Sequence, residues 1–161
     1  WQLNLGLDAL LPIGLALGAD VPFFLGGHNA WVSGIGEKMS PIELPPAQFL
    51  VVKPSQGLET QRIFSDPALK RDTEPAILAG FIADAYGFGR NDLQVVAERI
   101  CPAVPLALSL LKSRGLQGRM TGSGSAVFAV TTGSVAIDSV PGFQVRHCRN
   151  LRHHPLLGWA A

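Results

Sequence analysis

Between Leu17 and Gly27 the chain reads LGADVPFFLGG, and no other stretch limits the possible folds as strongly. Asp20 is its one acid, and no other ionisable group lies within the run. A carboxylate among apolar neighbours is costly to bury unless something pairs with it or it has chemistry to perform. Pro22 biases Val21 toward extended geometry, so the apolar helical pattern before it should stop near Gly18–Ala19. Asp20 is then expected at a helix-to-strand corner, where a side chain can point into a cleft. Taken alone, the pattern fits equally well an aspartate that caps a turn.

The 161 residues make room for one domain, or for one domain and a piece of another. With 47% hydrophobic and 16% charged residues, the chain has ample material for a packed core, and disorder is excluded. The apolar run Leu7–Leu17 is interrupted by Asp8 and Pro12 and is too short to span a bilayer. No basic head followed by an apolar run marks a signal peptide. Cys101 and Cys148 form no CxxC pattern and read as free thiols, so a cytoplasmic protein is expected. Charge is uneven, with a net −3 over residues 1–60 and +5 over residues 112–161. The arginines of the basic end are scattered and lack interleaved aromatics, which favours solvated surface over a nucleic-acid partner. Neither a nucleic-acid nor a membrane partner is expected.

Local pattern divides the chain into short elements. Trp1–Leu17 reads as two short helical pieces broken near Leu5–Asp8, with Asp8 as N-cap of the second. Asn29–Ser33 and Glu37–Ile42 read as strands of a hairpin turning at Gly34-Ile35-Gly36. Pro41, Pro45 and Pro46 form a stiff connector and mark a domain boundary, giving segments 1–46 and 47–149 and a patternless tail 150–161. Phe49–Val52 is a buried central strand ended by Lys53-Pro54. Helices are expected at Glu59–Phe64, Glu74–Tyr86, Asp92–Ile100, Val104–Ser113 and Ser134–Val140. Strands are expected at Gly118–Thr121, Ser125–Thr131 and Phe143–Cys148. Strands separated by helices after Pro46 imply an α+β domain, with helices on one face of a mainly antiparallel sheet.

The second stretch of chemical interest is RMTGSGSAVFAV, Arg119–Val130. Its glycines permit positive φ and close approach of backbone to a ligand, and its serines add hydroxyl and amide donors. That suits a phosphate, although a Gly-Ser turn between strands is also an ordinary hairpin. LGADVPFFLGG, GIGEK, a strand ending in KP, ETxxIF before an acidic-Pro pair, NDL and TGSGSAVFA succeed one another in that order. This series resembles the C-terminal half of the GHMP family of small-molecule kinases, and the resemblance runs from Trp1 to about Val130.

The resemblance implies transfer of the ATP γ-phosphate, with Mg2+, to a hydroxyl of a cytidyl-diphosphate substrate of the methylerythritol type. It implies a ferredoxin-like C-terminal domain preceded by the tail end of a ribosomal-S5-domain-2-like N-terminal domain, with the active site in the cleft between them. Matched motif to motif, Asp20 falls on the catalytic aspartate that deprotonates or orients the attacking hydroxyl. Phe64 falls on the aromatic that stacks on cytosine, and Thr60 on the same segment should lie close by. Gly122, Ser123, Gly124 and Ser125 fall on the glycine-rich loop lining the phosphate side. Phosphoryl transfer needs mainly positioning and charge compensation, which one carboxylate and a small-residue loop meet in part. On pattern alone Phe64 fits a core position as well as a stacking platform.

Other groups carry less. Lys53 and Arg119 could clamp phosphate, but solvated cations are commoner, and His28 fits a satisfied turn histidine better than a proton carrier. The cysteines and histidines lack metal-ligand spacing. The family's lysine motif and its PxGxGLGxSS-like ATP loop do not occur in the 161 residues, and Ser33 stands where an acid is expected. Trp1 opens inside a helical pattern without a Met, so a fragment lacking roughly a hundred upstream residues is expected. Two alternatives stand beside this reading. One is a GHMP kinase for homoserine, mevalonate or a sugar, and the other a non-catalytic phosphate- or RNA-binding module.

Overall fold

The computed structural model describes residues 3, 5–133, 135–137, 139–155 and 157. The chain forms two compact units, residues 1–45 with 151–161, and residues 46–150.

In the first unit, helix α1 spans Leu7–Leu17 and α2 spans Val21–Gly26. Gly6, not Asp8, is the N-cap of α1, and Asp8 lies in its first turn, where an acid still complements the free N–H groups. Residues 3, 5 and 6 are not helical, and the rest of the expected first helical piece lies outside the described residues. The break after Leu17 falls where Pro22 implied, but the chain then enters a second helix, so Asp20 stands at a helix-to-helix corner. Val21 is helical despite preceding a proline, because Pro22 sits in the first turn, where its missing N–H has no intrahelical partner to lose. Gly14 is buried against α2, and a side chain there would run into Leu25 and Val21.

Strands β1 (Ala30–Ser33) and β2 (Lys38–Pro41) pair antiparallel, with Ser33 opposite Lys38. Gly36, at φ 126°, is buried against the Ala19 carbonyl, an approach that any side chain would block. The hairpin turn is thereby seated beside the Asp20 corner. Glu37 accepts the Ile35 N–H at 2.7 Å. Hydrogen bonds from the turn backbone hold its carboxyl below the usual glutamate range. The tail has a structural partner that its sequence did not reveal. His153 forms a β-bridge with His28, the His154 N–H donates to Gly27 O at 2.8 Å, and Asn29 Nδ2 donates to Leu151 O at 3.0 Å.

The second unit is built on a four-stranded sheet of β3 (Gln48–Pro54), β4 (Arg119–Met120), β5 (Val127–Thr131) and β6 (Phe143–Arg149). Its order is β4-β5-β3-β6 and every pairing is antiparallel. This is the split βαβ, ferredoxin-like arrangement, with the first strand of the unit at the centre. Alternation puts Leu50 and Val52 of β3 and Val127 and Ala129 of β5 on the buried face. Helices α5 (Asp92–Ile100) and α6 (Ala103–Lys112) cover that face through Val96, Ala97, Val104, Ala107 and Leu111. Helix α3 (Thr60–Phe64) adds Ile63 to the same core.

Two expected helices fail. Of Glu74–Tyr86 only α4, Leu78–Ala83, is helical. Pro75 biases Glu74 away from helix, Gly80 weakens the interior, and Ile77 and Ile82 stay exposed, so no core contact compensates. Residues 135–137, 139 and 140 are not helical, while 134 and 138 lie outside the described residues. Val135 and Ile137 pack against the core from an irregular segment, consistent with their β-branched side chains. Among the described residues no single helix is long and apolar enough to cross a membrane.

Candidate functional site

The sequence-derived site residues divide between the units. Asp20 lies in the first, and Thr60, Phe64 and Gly122–Ser125 lie in the second.

Asp20 precedes α2 with φ −87° and ψ −14° and makes no side-chain cap bond. Its side chain is exposed and forms no hydrogen bond or ion pair among the described residues. The burial cost that its apolar neighbours suggested therefore does not arise, and a turn-capping role is not what the geometry displays.

In the second unit the remaining residues converge. Glu59 is the extended N-cap of α3, and Ser65 ends the helix after five residues. Adjacent helical residues project about 100° apart. Ile63 is accordingly fully buried, whereas Phe64 is 54% exposed. Thr60 lies four residues before Phe64, on the same face of α3. Thr60 Oγ1 is 2.7 Å from Ser123 Oγ, which joins α3 to the glycine-serine loop. One exposed helical face thus carries both an unpacked aromatic ring and a hydroxyl bonded to the loop.

The loop is braced from three directions. Buried Ser125 donates its hydroxyl to Gln56 O at 2.7 Å. Asn91, the N-cap of α5, accepts the Leu93 N–H at 3.0 Å, while its Nδ2 donates to Met120 O at 3.0 Å and to Gly122 O at 2.7 Å. The third brace is Thr60. Gly122 (φ 53°) and Gly124 (φ 83°) are in left-handed conformations, and a side chain on Gly124 would strike Met120.

The far end of α3 is fixed as well. Arg71 donates to the carbonyls of Phe64, Leu69 and Asp66. Asp66 accepts the Ala68 N–H at 2.9 Å and pairs with Arg99 of α5. The Ala68 N–H and the Arg99 guanidinium hold the Asp66 carboxyl below the usual aspartate range. Sequence reasoning missed Asn91, Gln56 and Arg71 as supports. For Asn91 a signal existed, since an Asn before an amphipathic helix is an N-cap pattern.

Arg119 is not a freely solvated cation. Its guanidinium donates to the carbonyls of Phe88, Gly89 and Tyr86 and lies 5.2 Å from the Phe128 ring centre, tying the 86–89 turn to the sheet. A groove of about 860 Å³ runs beside it, lined by Tyr86, Asn91, Gln94 and Phe128, but it contains neither Phe64 nor the loop glycines. Lys53 is exposed, and His28 Nδ1 lies 3.0 Å from His153 Nδ1. Cys101 is buried, Cys148 is exposed, and both are free. Among the described residues no group of three or more His, Cys, Asp or Glu could hold a metal ion.

Comparison with known proteins places this geometry in a family. Residues 73–140 match the family model described as GHMP kinases C terminal. A 4-diphosphocytidyl-2-C-methyl-D-erythritol kinase of Albidiferax ferrireducens is 68% identical over 99% of this chain and 56% of its own length. The enzyme of that name from Polaromonas sp. is 55% identical over 99% of this chain and 54% of its own length. A crystal structure of a 4-(cytidine 5'-diphospho)-2C-methyl-D-erythritol kinase superposes with a TM-score of 0.66 at 31% identity, covering 83% of this chain and 50% of that one. The chain spans about half the length of the curated relatives it matches. With the ferredoxin-like strand order and the braced glycine-serine loop already in place, these matches identify the chain as one that carries the C-terminal domain of the GHMP kinases.

Proposed function

We propose that this chain is the C-terminal part of an ATP-dependent kinase that phosphorylates a hydroxyl of 4-diphosphocytidyl-2-C-methyl-D-erythritol in non-mevalonate isoprenoid precursor synthesis. The observation that carries the reading is the contact between Thr60 and Ser123, which makes an exposed aromatic helix face continuous with a glycine-serine loop. A cytidine diphosphate presents a flat base and two phosphates, and this face offers a ring for the first and backbone and hydroxyl donors for the second. Phe64 stacks on the cytosine, Thr60 lies beside it, and Gly122, Ser123, Gly124 and Ser125 line the phosphate side.

Asp20 deprotonates or orients the attacking hydroxyl, a role that its exposed and unbonded carboxylate suits. Residues 1–46 belong in this reading to the N-terminal kinase domain and 47–149 to the C-terminal one. ATP supplies the phosphoryl group when bound. The loop's backbone donors suit an anion, and the accompanying Mg2+ would be held by the phosphate oxygens, since no cluster of ligands among the described residues of this chain is built to take it. The enzyme works in the cytoplasm, where Cys101 and Cys148 stay reduced. An RNA-binding reading draws less support, because Arg114 and Arg119 of the basic end spend donors on backbone carbonyls.

The test is a joined enzyme, in which this chain is fused behind the upstream half of the Albidiferax ferrireducens relative. Coupled ADP release should appear with the cytidyl-diphosphate substrate and stay at background with homoserine, mevalonate or galactose. Preferred turnover of any of the latter three would overturn the substrate assignment. Binding of a random RNA oligomer that falls steeply with added salt, without kinase turnover, would favour the non-catalytic module.

A further inference from the structure

We propose that Asn91 positions the glycine-serine loop for phosphate, an inference that rests on the nucleotide-binding reading of Phe64 and the loop. The side chain of Asn91 is fully committed. Its Oδ1 caps α5 through Leu93 N–H, and Nδ2 spends its two hydrogens on Met120 O and Gly122 O. In the trans Gly122–Ser123 peptide, the carbonyl and the N–H point in opposite directions. Holding Gly122 O against Asn91 therefore directs the Ser123 N–H to the side away from α5. That N–H has no partner among the described residues. The Ser123 hydroxyl, in turn, is bonded to Thr60. Asn91 thus keeps a carbonyl dipole turned away and leaves an amide donor free, as a backbone anion site requires. The neighbouring Gln94 supports the same strand by accepting the Met120 N–H at 2.8 Å.

This arrangement separates capping from positioning in a single residue, which makes it testable. Asn91→Asp keeps the acceptor for Leu93 N–H at a helix N-terminus that favours negative charge, so α5 should persist. It also replaces the donor facing Met120 O and Gly122 O with a second acceptor, so the loop is released. Asn91→Ser retains a neutral cap acceptor and is too short to reach the loop.

The probes are cytidine 5′-diphosphate and cytidine, titrated into the joined enzyme. Both variants should melt within a few degrees of wild type and bind cytidine about as tightly. Both should bind the diphosphate about ten-fold more weakly, the loss expected for charge-assisted hydrogen bonds. A helix cap alone would not shift the ratio of the two affinities. An unchanged ratio, or parallel loss of both probes, overturns the positioning role. Wild-type selectivity in Asn91→Ser also overturns it, because the Asp effect would then be charge repulsion. Wild-type enzyme that binds neither probe removes the nucleotide site itself, and this inference with it.

Discussion

An exposed side chain without a hydrogen-bond partner contributes little to the fold and costs little to replace. Asp20 is in that condition. Asp20→Asn in the joined enzyme should therefore leave melting unchanged while lowering turnover by about two to four orders of magnitude, the usual contribution of a general acid–base group. Steady-state kinetics with a matched thermal melt checks this, and wild-type turnover would reduce Asp20 to a corner residue. Phe64 allows a similar separation. The residue is 54% exposed, so truncation removes little core packing, whereas a buried Phe→Ala change costs about 3–5 kcal/mol. Phe64→Ala should weaken binding of the cytidyl substrate by about 1–3 kcal/mol and leave ATP binding nearly unaltered. Separate titrations of the two ligands distinguish the outcomes. A large drop in melting temperature with intact substrate affinity would assign the ring to the core.

At the scale of elements, α3 is too short to hold itself in place. A five-residue helix is unstable in isolation, and its orientation comes from Ile63 beneath it, the Thr60–Ser123 contact at its start and the Arg71 and Asp66–Arg99 bonds at its end. The Asp66 link has a pH signature. Because its carboxyl titrates lower in the folded protein than in the unfolded chain, its stabilisation is complete above the ordinary aspartate value of about 4 and fades as pH falls through the folded value. Melting temperature in the wild type should thus fall on acidification from about pH 5 to about pH 3, and this component should be missing in Asp66→Asn. Equal acid sensitivity of the two proteins would show that Asp66 is not a stabilising group. Helix α4 illustrates the opposite condition, an apolar pattern with exposed Ile77 and Ile82 and no buried residue, which ends after six residues.

For the whole molecule, the buried apolar core lies within residues 46–150, from Leu50 to Ala129, whereas Leu7, Ile13, Leu17 and Phe24 of the first unit are exposed. Phosphoryl transfer depends on holding ATP, acceptor and base together, and the chain spans about half the length of the kinases it matches. The 161-residue chain alone should therefore show no ATP-dependent turnover under conditions where the joined enzyme is active. Multiple turnover by the purified chain, free of contaminating kinase, would contradict this.

What the sequence determined by itself is what neighbours along the chain decide. The Gly34–Gly36 hairpin, the strand through Phe49–Val52, and the helices from Asp92 and after Pro102 come from turn residues, periodicity and capping. Asp20, Phe64 and the glycine-serine loop were legible as candidates because their motifs are contiguous. Only tertiary structure decided the rest. The Val21 helix depends on packing against Gly14, and the shortening of the helix expected at 74–86 to Leu78–Ala83 and the irregular course of residues 135–137, 139 and 140 depend on which apolar residues found a core. The grip of Asn91 on Gly122, the Thr60–Ser123 bond and the His28–His153 bridge join residues 31, 63 and 125 positions apart. Such pairs leave no periodicity to read, since the sheet register and the loop closures that bring them together are set by the energy of the whole core.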